Sequence, residues 1–171
     1  MYSYRHAMRS RYSETDQMGI VYYGRYMEYF EVARTEMIRS LGFPYARLED
    51  RGIFLPVVSA QVRYHGSLTY DEPFEVEVSV FEWPSVRLQT WYRVFRTVPW
   101  EADGGVADDE EADGKVEQGP STKPALGASP VTSGFVELCF MDADSRRPVP
   151  APDFFLEALR GALDNSAGDA G

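Results

Sequence analysis

Between residues 24 and 41, large apolar side chains recur at spacings of three and four: Tyr26, Phe30, Ala33, Met37 and Leu41. A helix gathers such positions on one stripe and turns Glu28, Glu31, Thr35 and Arg39 to the other side. Gly42 followed by Phe43-Pro44 stops it. Elsewhere the period is two. Val76, Val78 and Val80 alternate with Glu75, Glu77 and Ser79, the pattern of a strand buried on one face. Runs rich in Val, Phe, Tyr and Trp predict strands over 53–64, 74–83 and 86–98, with others over 4–12 and 131–141. The short break Glu82-Trp83-Pro84-Ser85 makes a hairpin of the third and fourth in chain order. Pro148, Pro150 and Pro152 end the last strand, and Asp153 is placed to cap a short helix through Leu163. Residues 164–171 read as a frayed tail.

The order is strand, long helix, then four strands with short connections, which predicts an α+β domain over 1–163 with an antiparallel sheet. One helix covers only part of one face of five strands, so a second copy is expected to cover what remains. Residues 99–130 break the pattern: Gly, Pro, Ala, Ser and acids dominate, with no apolar period. That composition predicts a disordered loop between two antiparallel strands, an insertion that costs the sheet little.

Composition narrows the function. Of a formal net charge of −10, the stretch 101–123 carries eight acids and the chain's only lysines, Lys115 and Lys123. The rest is close to neutral and has no basic stripe, which disfavours nucleic-acid binding. No apolar run reaches the roughly 20 residues of a membrane span, and the first residues lack a leader pattern, so a cytoplasmic protein is expected. One cysteine, Cys139, and two histidines, His6 and His65, leave no metal-ligand cluster. Cys139, between Leu138 and Phe140, reads as a buried inert thiol. Dinucleotide, Walker and Gly-x-Ser-x-Gly patterns are missing.

What remains is the run 11–26, where one acid, Asp16, stands between turn residues and the aromatic stretch that enters the long helix. Free N–H groups and the positive dipole end suit that helix start to developing negative charge. A carboxylate beside such donors in an apolar groove is a minimal hydrolytic set. The same residues also read as a plain turn, with Asp16 capping it and Gly19 supplying its backbone angle. Tyr22, Tyr23, Tyr26, Tyr29 and Phe30 serve as core or, in part, as the wall of an apolar pocket. Arg63, Arg87 and Arg93, near strand ends, are candidates for binding phosphate groups. Glu31 and Arg34 suit an ordinary helix pair. His65 stands at a strand end and His6 in the first strand.

The segment Asp16-Gln17-Met18-Gly19-Ile20-Val21-Tyr22-Tyr23-Gly24-Arg25-Tyr26, continuing through Phe30 to Glu36, resembles the hot-dog-fold acyl-CoA thioesterases, in particular the 4-hydroxybenzoyl-CoA thioesterase and YbgC-like branch. Three more blocks agree: 53–59, the run Tyr64 to Pro73, and 146–152. The resemblance implies a hot-dog fold, a curved antiparallel sheet of about five strands wrapped around one long helix. It implies a homodimer or homotetramer hydrolysing acyl-CoA without a cofactor. Asp16 would act as nucleophile or general base, and the Tyr23 N–H would polarise the thioester carbonyl. Tyr22, Tyr26, Val58 and Ser59 would line the acyl pocket. The chain has Tyr23 where many YbgC-like members carry histidine, and Gly24-Arg25 in place of an Asn-containing segment. The rival expectations are a hot-dog hydratase or dehydratase, which needs a histidine in the site, and a non-catalytic acyl-thioester-binding protein.

Overall fold

The computed structural model describes residues 1–97 and 129–168, with side chains to residue 164. The loop expected over 99–130 therefore lies outside the described residues except for its last two, as does the end of the tail. The chain runs β1 (Tyr2–Arg9), a 3-10 turn (Tyr12–Glu14), α1 (Arg25–Ser40), α2 (Ala46–Glu49), β2 (Ile53–Phe54), β3 (Val57–Tyr64), β4 (Pro73–Val80), β5 (Arg87–Arg96), β6 (Thr132–Cys139), β7 (Met141–Asp142) and α3 (Asp153–Gly168).

Five strands form one sheet in the order β1-β4-β5-β6-β3, antiparallel at every junction. The hairpin of β4 and β5 pairs Phe74 with Arg96 and Ser79 with Trp91, as the turn at 82–85 predicts. The first strand ends at Arg9 rather than Tyr12, because Ser10 leaves the ladder to bond residues 69 and 72. The strand expected over 53–64 is two. Pro56 interrupts it, and the pieces serve different sheets: β2 pairs with β7, and β3 with β6. The strand expected over 131–141 divides in the same way at Phe140. α2 was not anticipated, since four residues carry no period, and α3 runs past Leu163 to Gly168.

The core lies between α1 and one face of the sheet. Tyr26, Phe30, Ala33, Met37 and Leu41 are buried as their spacing predicts, joined by Tyr29 and Ile38. They meet Phe74, Val76 and Val78 of β4 and Leu88, Tyr92 and Val94 of β5. Phe30 stacks on Tyr92 with ring centroids 4.3 Å apart. A helix about 10 Å across cannot reach over five strands spaced roughly 4.8 Å apart. β3 consequently stays exposed along nearly its whole length, although it contributes Val57, Val58, Ala60 and Val62.

The sheet face turned away from α1 is not simply polar. Glu75 and Glu77 are buried there beneath arginines and Phe95. Arg5 Nε and Arg93 Nε donate to Glu77 at 3.0 and 2.8 Å. The two guanidinium groups hold the Glu77 carboxyl below the usual range in spite of its burial. Burial raises that of Glu75, whose Oε2 has no hydrogen-bond partner among the described residues and only a distant ion pair with Arg5, at 3.7 Å. A lowered folded pKa stabilises above the unfolded value, near pH 4.3, and that contribution disappears as pH falls. Glu77→Gln should cost about 1–2 kcal/mol at pH 7, the exposure of both arginines keeping the figure small. In urea melts the deficit should shrink towards pH 3, while Glu75→Gln should be neutral or stabilising at pH 7.

Candidate active site

A tight turn presents Asp16. Its N–H donates to the Ile20 carbonyl (2.9 Å), and the Gly19 N–H donates back to the Asp16 carbonyl (3.0 Å). Gly19 sits at φ +75°, which only glycine adopts without strain. A bridge from Thr15 to Val21 closes the turn, and one from Ile20 to Thr69 ties it to the segment before β4. The Met18 N–H donates to Asp16 Oδ1 at 2.8 Å. Among the described residues no hydrogen bond or ion pair engages Oδ2. The capping role and the chemical role weighed for Asp16 are thus compatible, one on each oxygen.

Glu14 secures the turn from below, and nothing in the sequence pattern singles it out. Its buried carboxylate accepts from the Tyr29 hydroxyl (2.8 Å) and the Arg11 N–H (2.7 Å), and forms an ion pair with the Arg11 guanidinium (3.2 Å). Burial, then the bond to Glu14, push the Tyr29 phenol far up, so it remains a donor. The Glu14 carbonyl takes the Tyr22 N–H. One residue therefore fixes the turn to the helix core and to the chain entering α1.

At that entry the Arg25 N–H turns back to the Tyr22 carbonyl and the Met27 N–H to the Gly24 carbonyl. The N–H groups of Tyr23 and Gly24 have no acceptor among the described residues, as expected at a helix start. The Tyr22 ring packs on Tyr23 (4.4 Å) and lies where a side chain at position 24 would stand.

Asp16, Tyr23, Tyr26 and Tyr64 surround a cavity of about 190 Å³, with Ile20 and Val21 adding apolar wall. Tyr26 is held by burial and by its hydroxyl oxygen, which accepts the Leu68 N–H at 3.1 Å. A carboxylate, a helix-entry residue whose N–H has no acceptor among the described residues, and an apolar slot thus border one cavity, a set suited to an acyl group that is already activated. Tyr64 belongs to this set although the sequence pattern gives it no role there.

Other expected residues lie elsewhere. Tyr22 is an exposed neighbour of the cavity rather than part of its lining. Val58 and Ser59 sit at the opposite end of β3 from Tyr64 and do not line it, because a strand advances about 3.3 Å per residue. The arginines do not reach it either. Arg63 and Arg93 border a larger groove of about 840 Å³ on the far sheet face, where Trp91 and Phe135 are also found and where Arg93 is engaged by Glu77. Arg87 stands near Glu137, at 4.0 Å. His65 bonds the Ser133 hydroxyl (2.8 Å) beside that groove, and His6 is in β1, so neither histidine lines the Asp16 cavity. Glu31 is exposed on α1, and Cys139 is buried. Arg34 is buried on α1, within 3.5 Å of the Tyr92 hydroxyl rather than paired with Glu31. Among the described residues no cluster of three metal-ligating side chains occurs and no helix is long and apolar enough to cross a membrane.

Residues 10–159 match the model of the thioesterase-like superfamily. A Bacillus subtilis protein named "Putative acyl-CoA thioesterase YneP" is 38% identical over 85 residues, 50% of this chain and 62% of that protein. The acyl-CoA thioesterase YbgC of Haemophilus influenzae is 36% identical over 76 residues, 44% of this chain and 56% of its own length. The chain thus spans less than two thirds of either relative. The crystal structure of a DHNA-CoA thioesterase from Staphylococcus aureus superimposes with a TM-score of 0.70 at 27% identity, covering 98% of this chain and 93% of that one.

Proposed function

This chain belongs to the thioesterase-like superfamily, and from that premise we propose that it hydrolyses acyl-CoA thioesters, with Asp16 as the acting carboxylate and the Tyr23 N–H as the oxyanion donor. The observation that carries this reading is the shared cavity of Asp16 and Tyr23. One Asp16 oxygen is occupied by the Met18 N–H, which orients the carboxylate and leaves the other for chemistry.

Two routes use the same atoms. As a general base, Asp16 takes a proton from water while the water oxygen bonds the carbonyl carbon. The C–S bond then breaks, and the CoA thiolate recovers the proton. As a nucleophile, Asp16 bonds the carbonyl carbon itself, expels the thiolate and leaves a mixed anhydride for water to cleave. In both, negative charge grows on the former carbonyl oxygen, where a helix-start N–H stabilises it. The absence of histidine from the cavity lining favours hydrolysis over hydration. Thiol release from short, long and aromatic acyl-CoAs is the direct test. Turnover on at least one class supports the reading, and none by folded protein on any class overturns it.

The active form would be a homodimer joined along β3 or a tetramer of such pairs. An edge strand that is exposed on both faces yet carries several valines is a ready pairing surface. Antiparallel pairing of two β3 strands would bring the Val58–Ser59 end of one beside the Tyr64 end of the other, giving Val58 and Ser59 their place in the acyl pocket. Ala60→Lys should then convert the sedimenting species to monomer, and an unchanged sedimentation coefficient would exclude this edge. The buried Cys139 thiol suits a cytoplasmic setting.

A further inference from the structure

Tyr64 ends β3 and reaches across 41 residues of sequence to the start of α1, where its hydroxyl donates to the Tyr23 carbonyl at 2.9 Å. Tyr23 stands just outside α1, whose N-cap is Gly24, so no helix N–H is due to that carbonyl. The Met27 N–H goes to Gly24, and no main-chain donor among the described residues serves Tyr23. The phenol therefore supplies a bond that the helix does not. Its ring is held edge-on against Tyr26 (5.5 Å) and Tyr23 (6.3 Å), and it forms part of the cavity wall beside Asp16.

A free N–H helps catalysis only if it is aimed before charge develops. The Tyr23 N–H and carbonyl share one Cα, so fixing the carbonyl restricts the rotations that would turn the N–H away. Glu14 holds the preceding residue through the Tyr22 N–H, and Tyr64 holds Tyr23 itself. We propose that Tyr64 is a positioning residue for the oxyanion site, its hydroxyl locking the Tyr23 main chain so that the N–H faces the substrate carbonyl. Burial, with smaller contributions from Tyr26 and Tyr23, raises the phenol pKa and keeps this hydroxyl a donor at neutral pH.

The proposal rests on the thioester-hydrolase reading, and two measurements separate their failures. Tyr64→Phe removes only the oxygen. With an acyl-CoA that the wild type turns over, kcat should fall about 10- to 100-fold while KM changes less than about threefold, since the ring still shapes the slot. Tyr64→Leu should lower kcat similarly and raise KM as well. A Tyr64→Phe enzyme with kcat within twofold of wild type overturns the positioning role and leaves the hydrolase reading intact. The second measurement needs no turnover: backbone 15N order parameters at Tyr23 and Gly24 should fall from about 0.85 towards about 0.6 in Tyr64→Phe while those of the α1 core stay unchanged. Equal order parameters in the two proteins overturn the lock even if every acyl-CoA proves inert.

Discussion

Asp16→Asn should lower kcat for acyl-CoA hydrolysis by at least about 100-fold and leave KM within a few-fold of wild type. The substitution preserves shape. An amide oxygen can still accept the Met18 N–H, and the turn is held independently by the Asp16–Ile20 bond, Gly19 and two bridges. What disappears is the charge, and no other acid lines the cavity to replace it. Glu14 is close in sequence but is buried and committed to Tyr29 and Arg11. Thiol release measured beside the melting temperature separates lost chemistry from lost fold. A variant that retains a tenth or more of wild-type kcat would remove Asp16 from the mechanism. Single-turnover reaction in heavy-oxygen water then distinguishes the routes, since label enters the Asp16 carboxylate only if it forms the anhydride.

Gly134→Ala should be the most damaging methyl group that the sheet can receive. A Cβ at position 134 would lie 2.3 Å from Phe30 Cε2 and 2.8 Å from Cζ, with the Gln61 carbonyl at 3.2 Å. Phe30 is fully buried and stacked on Tyr92, so its ring has no free direction in which to retreat. Overpacking of this kind costs typically 1–3 kcal/mol and sometimes more, and about 3 kcal/mol is expected here. Urea denaturation reads it directly. Phe30→Leu in the same chain should recover part of the loss, because the smaller side chain vacates that space. If the double variant is less stable than the sum of the singles predicts, the ring contact is not the cause.

Much of this architecture was legible because burial imposes a period. The stripe of α1 and the alternation of β4 follow from one-sided contact with water, and the sequence displays both. The breaks at Pro56 and Phe140 were harder to see, since both pieces of each strand are apolar and only their partners differ. α2 is too short to show a period. The site divides in the same way. Asp16 and the tyrosines at the helix start stand together in sequence. Tyr64 meets them only through the fold, and Glu14 looks like any other turn acid until its carboxylate is found beneath Tyr29. The arginines lie away from the cavity for a related reason. Strand alternation sends Arg63 and Arg93 to the sheet face opposite the cavity, and a strand end says nothing about which face a residue takes.

The walls of the Asp16 cavity differ in how firmly they are held. Tyr26 belongs to the helix core, whereas Tyr64 is 44% exposed on a strand with an open flank. Changes at the helix wall disturb the same contacts that hold the sheet and α1 together. Changes at the strand wall meet far less resistance. A descendant of this protein shifting towards a bulkier or slimmer acyl group has its cheapest path along β3, and the helix side would be the last to yield.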